Sequence, residues 1–232
     1  MGVQAEPGFC NNAPLTLKIY DKGARVLRVE AIAHNVKGLR CGRSVEKLPI
    51  MLAELQRMVI GFFNVVQAAH HSFLPDGILD ALVAPTQRGE RRLAGVDLQK
   101  PRMRAVSEAL LALSPKPGGF TLAELATKVR ELLSDSHLSY APRHARYDLS
   151  KLRGKELVER VTRSRRYRIA QHGIRILAGM LILREKVIKP VLAGLGKPRV
   201  GPPPKNICPL DQHYVNLQHE MRRTFQTLAL TP

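Results

Sequence analysis

LSKLRGKELVERVTRSRRYRIAQHGIRIL, residues 149–177, carries the pattern that decides the fold. Glu156-Leu157-Val158-Glu159-Arg160-Val161 alternates like a strand, and Tyr167-Arg168-Ile169-Ala170 does so again. Between them, Thr162-Arg163-Ser164-Arg165-Arg166 forms a basic turn. Upstream, the run from about Ala141 to Arg153 has helical spacing, with Ala145, Leu149 and Leu152 on one side, and Gly154 stands where a left-handed C-cap would stop it. Downstream, Gln171-His172-Gly173 opens a further helix, mostly apolar from Ile174 to Leu195.

Working outward, PRMRAVSEALLAL (101–113) starts with Pro and places Met103, Val106, Leu110 and Leu113 on one face. After Ser114-Pro-Lys-Pro-Gly-Gly119, FTLAELATKVRELL holds a T-x-x-E capping box at Thr121 and Glu124, with Phe120 ahead of the cap able to staple to Leu125. Three helices, a two-stranded hairpin with a basic tip and a closing helix are the order of a winged helix-turn-helix domain, over residues 101–195. The string 149–177 resembles the winged-helix core of bacterial transcription regulators of the MarR and ArsR type. In these a Leu, Gly, hydrophobe, Glu-Arg turn leads into the wing, and a Tyr-x-Ile/Leu strand leads into a closing helix with Gly at its start. The resemblance implies a DNA-binding fold and covers a minority of the chain.

The outer face of the third helix carries Arg143, His144, Tyr147, Ser150 and Lys151, a composition suited to groove edges and phosphates. With Arg163, Arg165, Arg166 and Arg168 of the wing, these are the candidate nucleic-acid-binding residues. The chain's 232 residues hold 37 Lys and Arg against 19 Asp and Glu, a net charge of +18 that favours polyanionic partners. Residues 140–200 alone hold 16 basic residues and 4 acids, so two thirds of the excess lies in this segment, which contains the third helix and the wing. Duplex DNA is the favoured partner. Structured RNA is the alternative, since 5% aromatic residues without Trp argue against single-strand stacking platforms.

The rest of the chain gives fewer signals. Residues 15–33 read as a hairpin about Asp21-Lys22-Gly23, and Val45 to about His71 as a core helix apolar at Leu48, Leu52, Leu55, Val59, Phe62/Phe63, Val66 and Ala69. Since a lone hairpin is marginal in water, it should lie on a helix, pair with another chain or be the remnant of a larger sheet, and that helix is the nearest support. The fold class is therefore mainly α with small β, an α+β winged helix-turn-helix domain preceded by a β-hairpin and a long helix. The expected divisions are a disordered 1–14, an α+β segment 15–85 including a short helix at 75–84, a basic linker 86–100, the domain 101–195, a Pro-rich linker 196–210 and a C-terminal helix at 211–232. Helices 174–195 and 211–228 are candidate surfaces for a homodimer or a larger complex.

Tyr20-Asp21-Lys22 with Leu27-Arg28-Val29-Glu30 faintly resembles a strand pair of rolling-circle replication initiators. Their His-hydrophobe-His metal site is missing, because His70 and His71 are contiguous. The stretch from this hairpin through the wing also resembles a family of bacterial proteins occurring in many copies per genome, a habit of mobile elements; that implies a context without an activity. It keeps open a second class of function: an accessory part of a replication initiator or transposase.

No Gly-rich phosphate loop, H-E-x-x-H, G-x-S-x-G or clustered acid set occurs, so no catalytic residue is assigned and a non-enzymatic role is favoured. Cys10, Cys41 and Cys208 are widely spaced, which suggests neither disulfides nor zinc, and no metal or cofactor is expected. The longest uninterrupted apolar stretch, Ile176 to Leu183, is far below the roughly 20 residues of a membrane span. These features predict a soluble cytoplasmic protein associated with the nucleoid and not with a membrane.

Overall fold

A computed structural model describes residues 15–23, 26–39, 44–70, 74–133, 139–196 and 207–228. The expected disordered N-terminus, most of the Pro-rich linker, Cys10, Cys41 and His71 lie outside them. The fold is mixed α and β, mainly helical with small antiparallel sheets, as the sequence predicts at that level. It divides into two units, Met1–Ala178 and Gly179–Pro232. The division falls inside the closing helix rather than in the basic segment 86–100.

In the first unit, β1 (Leu15–Asp21) and β2 (Leu27–Ala33) pair antiparallel in register Leu15↔Ala33 to Asp21↔Leu27. Glu30 accepts from the Tyr20 hydroxyl at 2.9 Å and pairs with Arg28 at 2.8 Å. After a 3₁₀ turn at Val45–Lys47, α1 (Leu48–His70) packs against β2, with Pro49 tolerated in its first turn. Its buried residues are Met51, Met58 and Ala68, displaced around the helix from the expected core stripe. Leu48, Leu52 and Phe63 of that stripe are exposed, as are Ile50 and Ile60. The hairpin is too narrow to cover more than one side of a 23-residue helix. By length and composition, the helix Val45–His70 could also cross a membrane. Glu54 and Arg57 interrupt its apolar run, so it contains no uninterrupted apolar stretch as long as Ile176 to Leu183.

The short helix expected at 75–84 is present, and the segment 86–100, expected as a basic linker, holds a hairpin. A short helix α2 (Ile78–Val83) is followed by a second hairpin, β3 (Thr86–Arg88) and β4 (Arg91–Leu93), which packs against the third helix of the next group. Leu82, Leu93, Val96 and Leu98 are buried, and the Lys155 ammonium bonds the Ala81 carbonyl.

The three predicted helices follow as α3 (Pro101–Leu113), α4 (Leu122–Leu132) and α5 (Pro142–Gly154). Their shared core includes Met103, Val106, Leu110, Leu125, Val129, Leu149 and Leu152. Both halves of the Thr121–Glu124 capping box form, at 3.3 Å and 2.8 Å. Phe120 is buried but belongs to a two-residue strand, β5 (Phe120–Thr121), that the sequence reading missed. The hairpin of β6 (Val158–Arg160) and β7 (Arg166–Ile169) completes a three-stranded antiparallel sheet of order β5-β7-β6, with Phe120↔Tyr167 and Glu159↔Arg168 in register. The left-handed residue after α5 is Glu156, with φ +59°, and not Gly154.

α6 (Gln171–Ile182) begins beside the sheet, where a Cβ on Gly173 would lie 2.3 Å from the Leu157 carbonyl oxygen, so glycine permits the approach. In the second unit the helix runs through a π-helical segment, Leu183–Ile188, into α7 (Lys189–Gly196). α8 (Pro209–Thr227) packs on α7; Gln218 donates to the Pro190 carbonyl at 2.9 Å and the Tyr214 hydroxyl to that of Lys186.

Candidate nucleic-acid interface

α5 starts with Pro142 at its first turn, and the Ala141 N–H is taken by Nδ1 of His144 at 3.1 Å. Nδ1 therefore carries no proton, and a neutral His144 holds its hydrogen on Nε2. That leaves Nε2 unable to accept from the Arg143 guanidinium, so their 3.4 Å approach is a contact rather than a hydrogen bond. His144 is half-buried against Tyr140, whereas Arg143, Arg146 and Tyr147 are exposed. Ser150 is half-buried, and its hydroxyl donates back to the Arg146 carbonyl at 2.9 Å.

Lys151 sits differently from its expected place. It is buried, with Nζ 4.0 Å from Asp148 Oδ1 and 5.6 Å from the centre of the Tyr147 ring. Asp148 is fully buried and accepts from Arg102 of α3 at 2.9 Å and from the Tyr140 hydroxyl at 3.2 Å. Desolvation lowers the Lys151 pKa against the opposing pull of Asp148, while burial and then the Asp148 charge push the Tyr140 hydroxyl far above its usual value. The reason for the correction is angular. At 100° per residue, burying Asp148 widens the inward arc of α5 toward Lys151 and His144 and centres the exposed arc on Arg143, Arg146 and Tyr147. Arg146 shares the exposed turn with Arg143 and was missed; its i+3 spacing from Arg143 was the available signal.

The β6–β7 turn separates its arginines as well. Arg163 takes φ +54° and is exposed, as are Arg165 and Arg168. The Arg160 guanidinium donates to the Ser164 carbonyl at 2.8 Å and the Ser164 hydroxyl accepts from the Arg166 N–H at 3.1 Å, so the turn is internally tied. Arg166 is buried: its guanidinium donates to the Gly119 carbonyl and lies 3.8 Å from Glu124 Oε2. It is a structural cation that joins β7 to the start of α4 and has no surface to offer a groove. Burial works to raise the Glu124 pKa, but hydrogen bonds from Lys116 and the Thr121 N–H, with the charges of Lys116 and Arg166, outweigh it and lower it.

Arg146, Arg163, Arg165 and Arg168 make no ion pair with a described residue. Guanidinium groups displayed in this way can form bidentate bonds with phosphates or guanine edges. Among the described residues, no group of His, Cys, Asp and Glu is arranged to hold a metal ion. Comparison with protein-family models, curated proteins and solved structures gives no match for this chain.

Proposed function

We propose that the chain binds duplex nucleic acid, DNA before RNA, through a winged helix-turn-helix arrangement built from α3, α4, α5 and the β5-β7-β6 sheet. α5 enters a groove with Arg143, Arg146 and Tyr147, while Arg163, Arg165 and Arg168 of the wing grip flanking phosphates or the minor groove. The observation that carries this reading is the element order: three helices, then a hairpin with a tied, arginine-bearing turn, with a strand from the α3–α4 connection added beside β7. Lys151 and Arg166 have structural roles in it.

The test is binding of the full chain to random-sequence duplex DNA, single-stranded DNA and structured RNA across a salt series, with Arg143→Ala and Arg165→Ala alongside. Duplex should bind best, with affinity falling steeply with salt. Arg165→Ala should reduce the logarithmic salt slope by about 1, the loss of one phosphate contact. Arg143→Ala should weaken binding by about 1–3 kcal/mol if it reads a base. Equal weak binding to all three, indifferent to both substitutions, would sink the proposal.

A second reading draws on α1. Its exposed Leu48, Ile50, Leu52, Ile60 and Phe63 favour a role as an accessory part of a larger nucleic-acid-processing assembly, in which another subunit covers this helix.

A further inference from the structure

The first unit contains a half-open cavity of about 650 Å³ between β1, α1 and the end of α3, a size typical of small-molecule sites. Its construction follows from two periodicities. Leu15, Leu17 and Ile19 lie at alternate positions of β1 and face it together, and Met58, Phe62 and Val65 follow at helical spacing on α1. α1 also closes on the far rim: a Cβ on Gly61 would come within 2.9 Å of the Pro115 Cα.

The polar part of the lining is lopsided in charge. Lys37, Lys116 and Arg166 supply three cations against one carboxylate, Glu124. That carboxylate already accepts from Lys116 at 2.8 Å and from the Thr121 N–H. Lys37 is exposed, and its side chain has no ion pair with a described residue. The guanidinium of Arg166 is buried with donors to spare beyond its bond to Gly119.

From this juxtaposition we infer that the cavity binds an amphipathic monoanion, an acyl chain ending in a carboxylate. The chain lies along the Leu17, Ile19, Met58 and Phe62 surface and the head group meets Lys37 and Lys116. The apolar lining is almost wholly aliphatic, with Phe62 its one aromatic ring, which favours an acyl body over an aromatic one. An uncharged chain would gain the same burial but leave the excess positive charge uncompensated. This inference does not depend on nucleic-acid binding.

Titration calorimetry of the full chain tests it, with decanoate, decanol and decyltrimethylammonium as probes, all below their micelle concentrations. Decanoate should bind saturably at one per chain, decanol about tenfold more weakly, and the ammonium more weakly still. Lys37→Glu, on an exposed residue, should weaken decanoate about tenfold and leave decanol unchanged. Val65→Trp, checked for cooperative melting, should abolish both by filling the apolar end. Equal binding of decanoate and decanol, or no response to Lys37→Glu, would overturn the inference. So would sedimentation showing that the free chain self-associates and that Ile19→Lys makes it monomeric, because a second copy would then be the occupant.

Discussion

Asp148 explains why two lysine-or-arginine positions on similar-looking strings behave in opposite ways. It is fully buried, and the Arg102 guanidinium, the Tyr140 hydroxyl and the Lys151 ammonium all turn toward it. Asp148→Ala removes the common acceptor and leaves buried donors unpaired, a loss of about 3 kcal/mol in a denaturant titration. Arg143→Ala, on the exposed side of the same helix, should leave stability within about 0.5 kcal/mol. If the two substitutions proved equally destabilising, the division of α5 into an inner and an outer face would be wrong. Glu124 gives a pH-dependent counterpart. Its folded pKa lies below the ordinary 4.5, so its contribution is complete above that pH and is lost as pH falls through the lowered value. Glu124→Gln should therefore be less stable than the parent at pH 7, by about 1 kcal/mol, and the gap should close as acid protonates the parent carboxyl. Thermal melts of both proteins from pH 7 to pH 3 measure the gap directly.

At the scale of elements, the sheet depends on a backbone contact that no side-chain pattern announces. Gly119 has φ +80°, and a Cβ there would lie 2.4 Å from the Tyr167 carbonyl oxygen. Gly119→Ala should thus separate β5 from β7 and cost roughly 2 kcal/mol or more, whereas Gly118→Ala, at φ +67° with open space around its Cβ, should cost about 1 kcal/mol. Comparing their melting temperatures separates the close approach from the left-handed conformation that both share. This contact also marks how far the sequence could be read. α3, α4 and α5 were legible because Pro101, the Thr121–Glu124 box and the apolar spacing encode their ends locally. β5 was not, since two residues have no period and its pairing partner lies more than forty residues away. The β3–β4 hairpin looked like a linker for a related reason: Arg88, Arg91 and Arg92 dominate its composition, while its attachment rests on the isolated apolar residues Leu93, Val96 and Leu98. For the candidate site, helical projection pointed to Arg143 and Tyr147 and the basic wing hairpin to Arg163, Arg165 and Arg168, all of which are exposed. The same two signals misplaced Lys151 and Arg166, whose burial depends on the acids Asp148 and Glu124 reached only through the tertiary fold.

For the molecule as a whole, the net charge of +18 acts on folding and on binding with opposite signs. With 37 Lys and Arg against 19 Asp and Glu, the excess cations repel one another across distances comparable to the Debye length, about 10 Å at 0.1 M salt. Added salt screens that repulsion and should raise the melting temperature of the free protein. The same salt weakens any complex with a polyanion, because each counterion released into a more concentrated solution gains less entropy. A single series from 50 to 500 mM sodium chloride, read by circular dichroism for melting and by fluorescence anisotropy for duplex binding, should therefore show two curves of opposite slope. The Arg163→Ala/Arg165→Ala double variant sharpens the test: losing two exposed, unpaired cations should raise the melting temperature at low salt and flatten both curves. A double variant that flattened the binding curve but lowered the melting temperature would mean that the turn arginines have folding partners. Their display on the β6–β7 turn would then have a structural cause rather than a functional one.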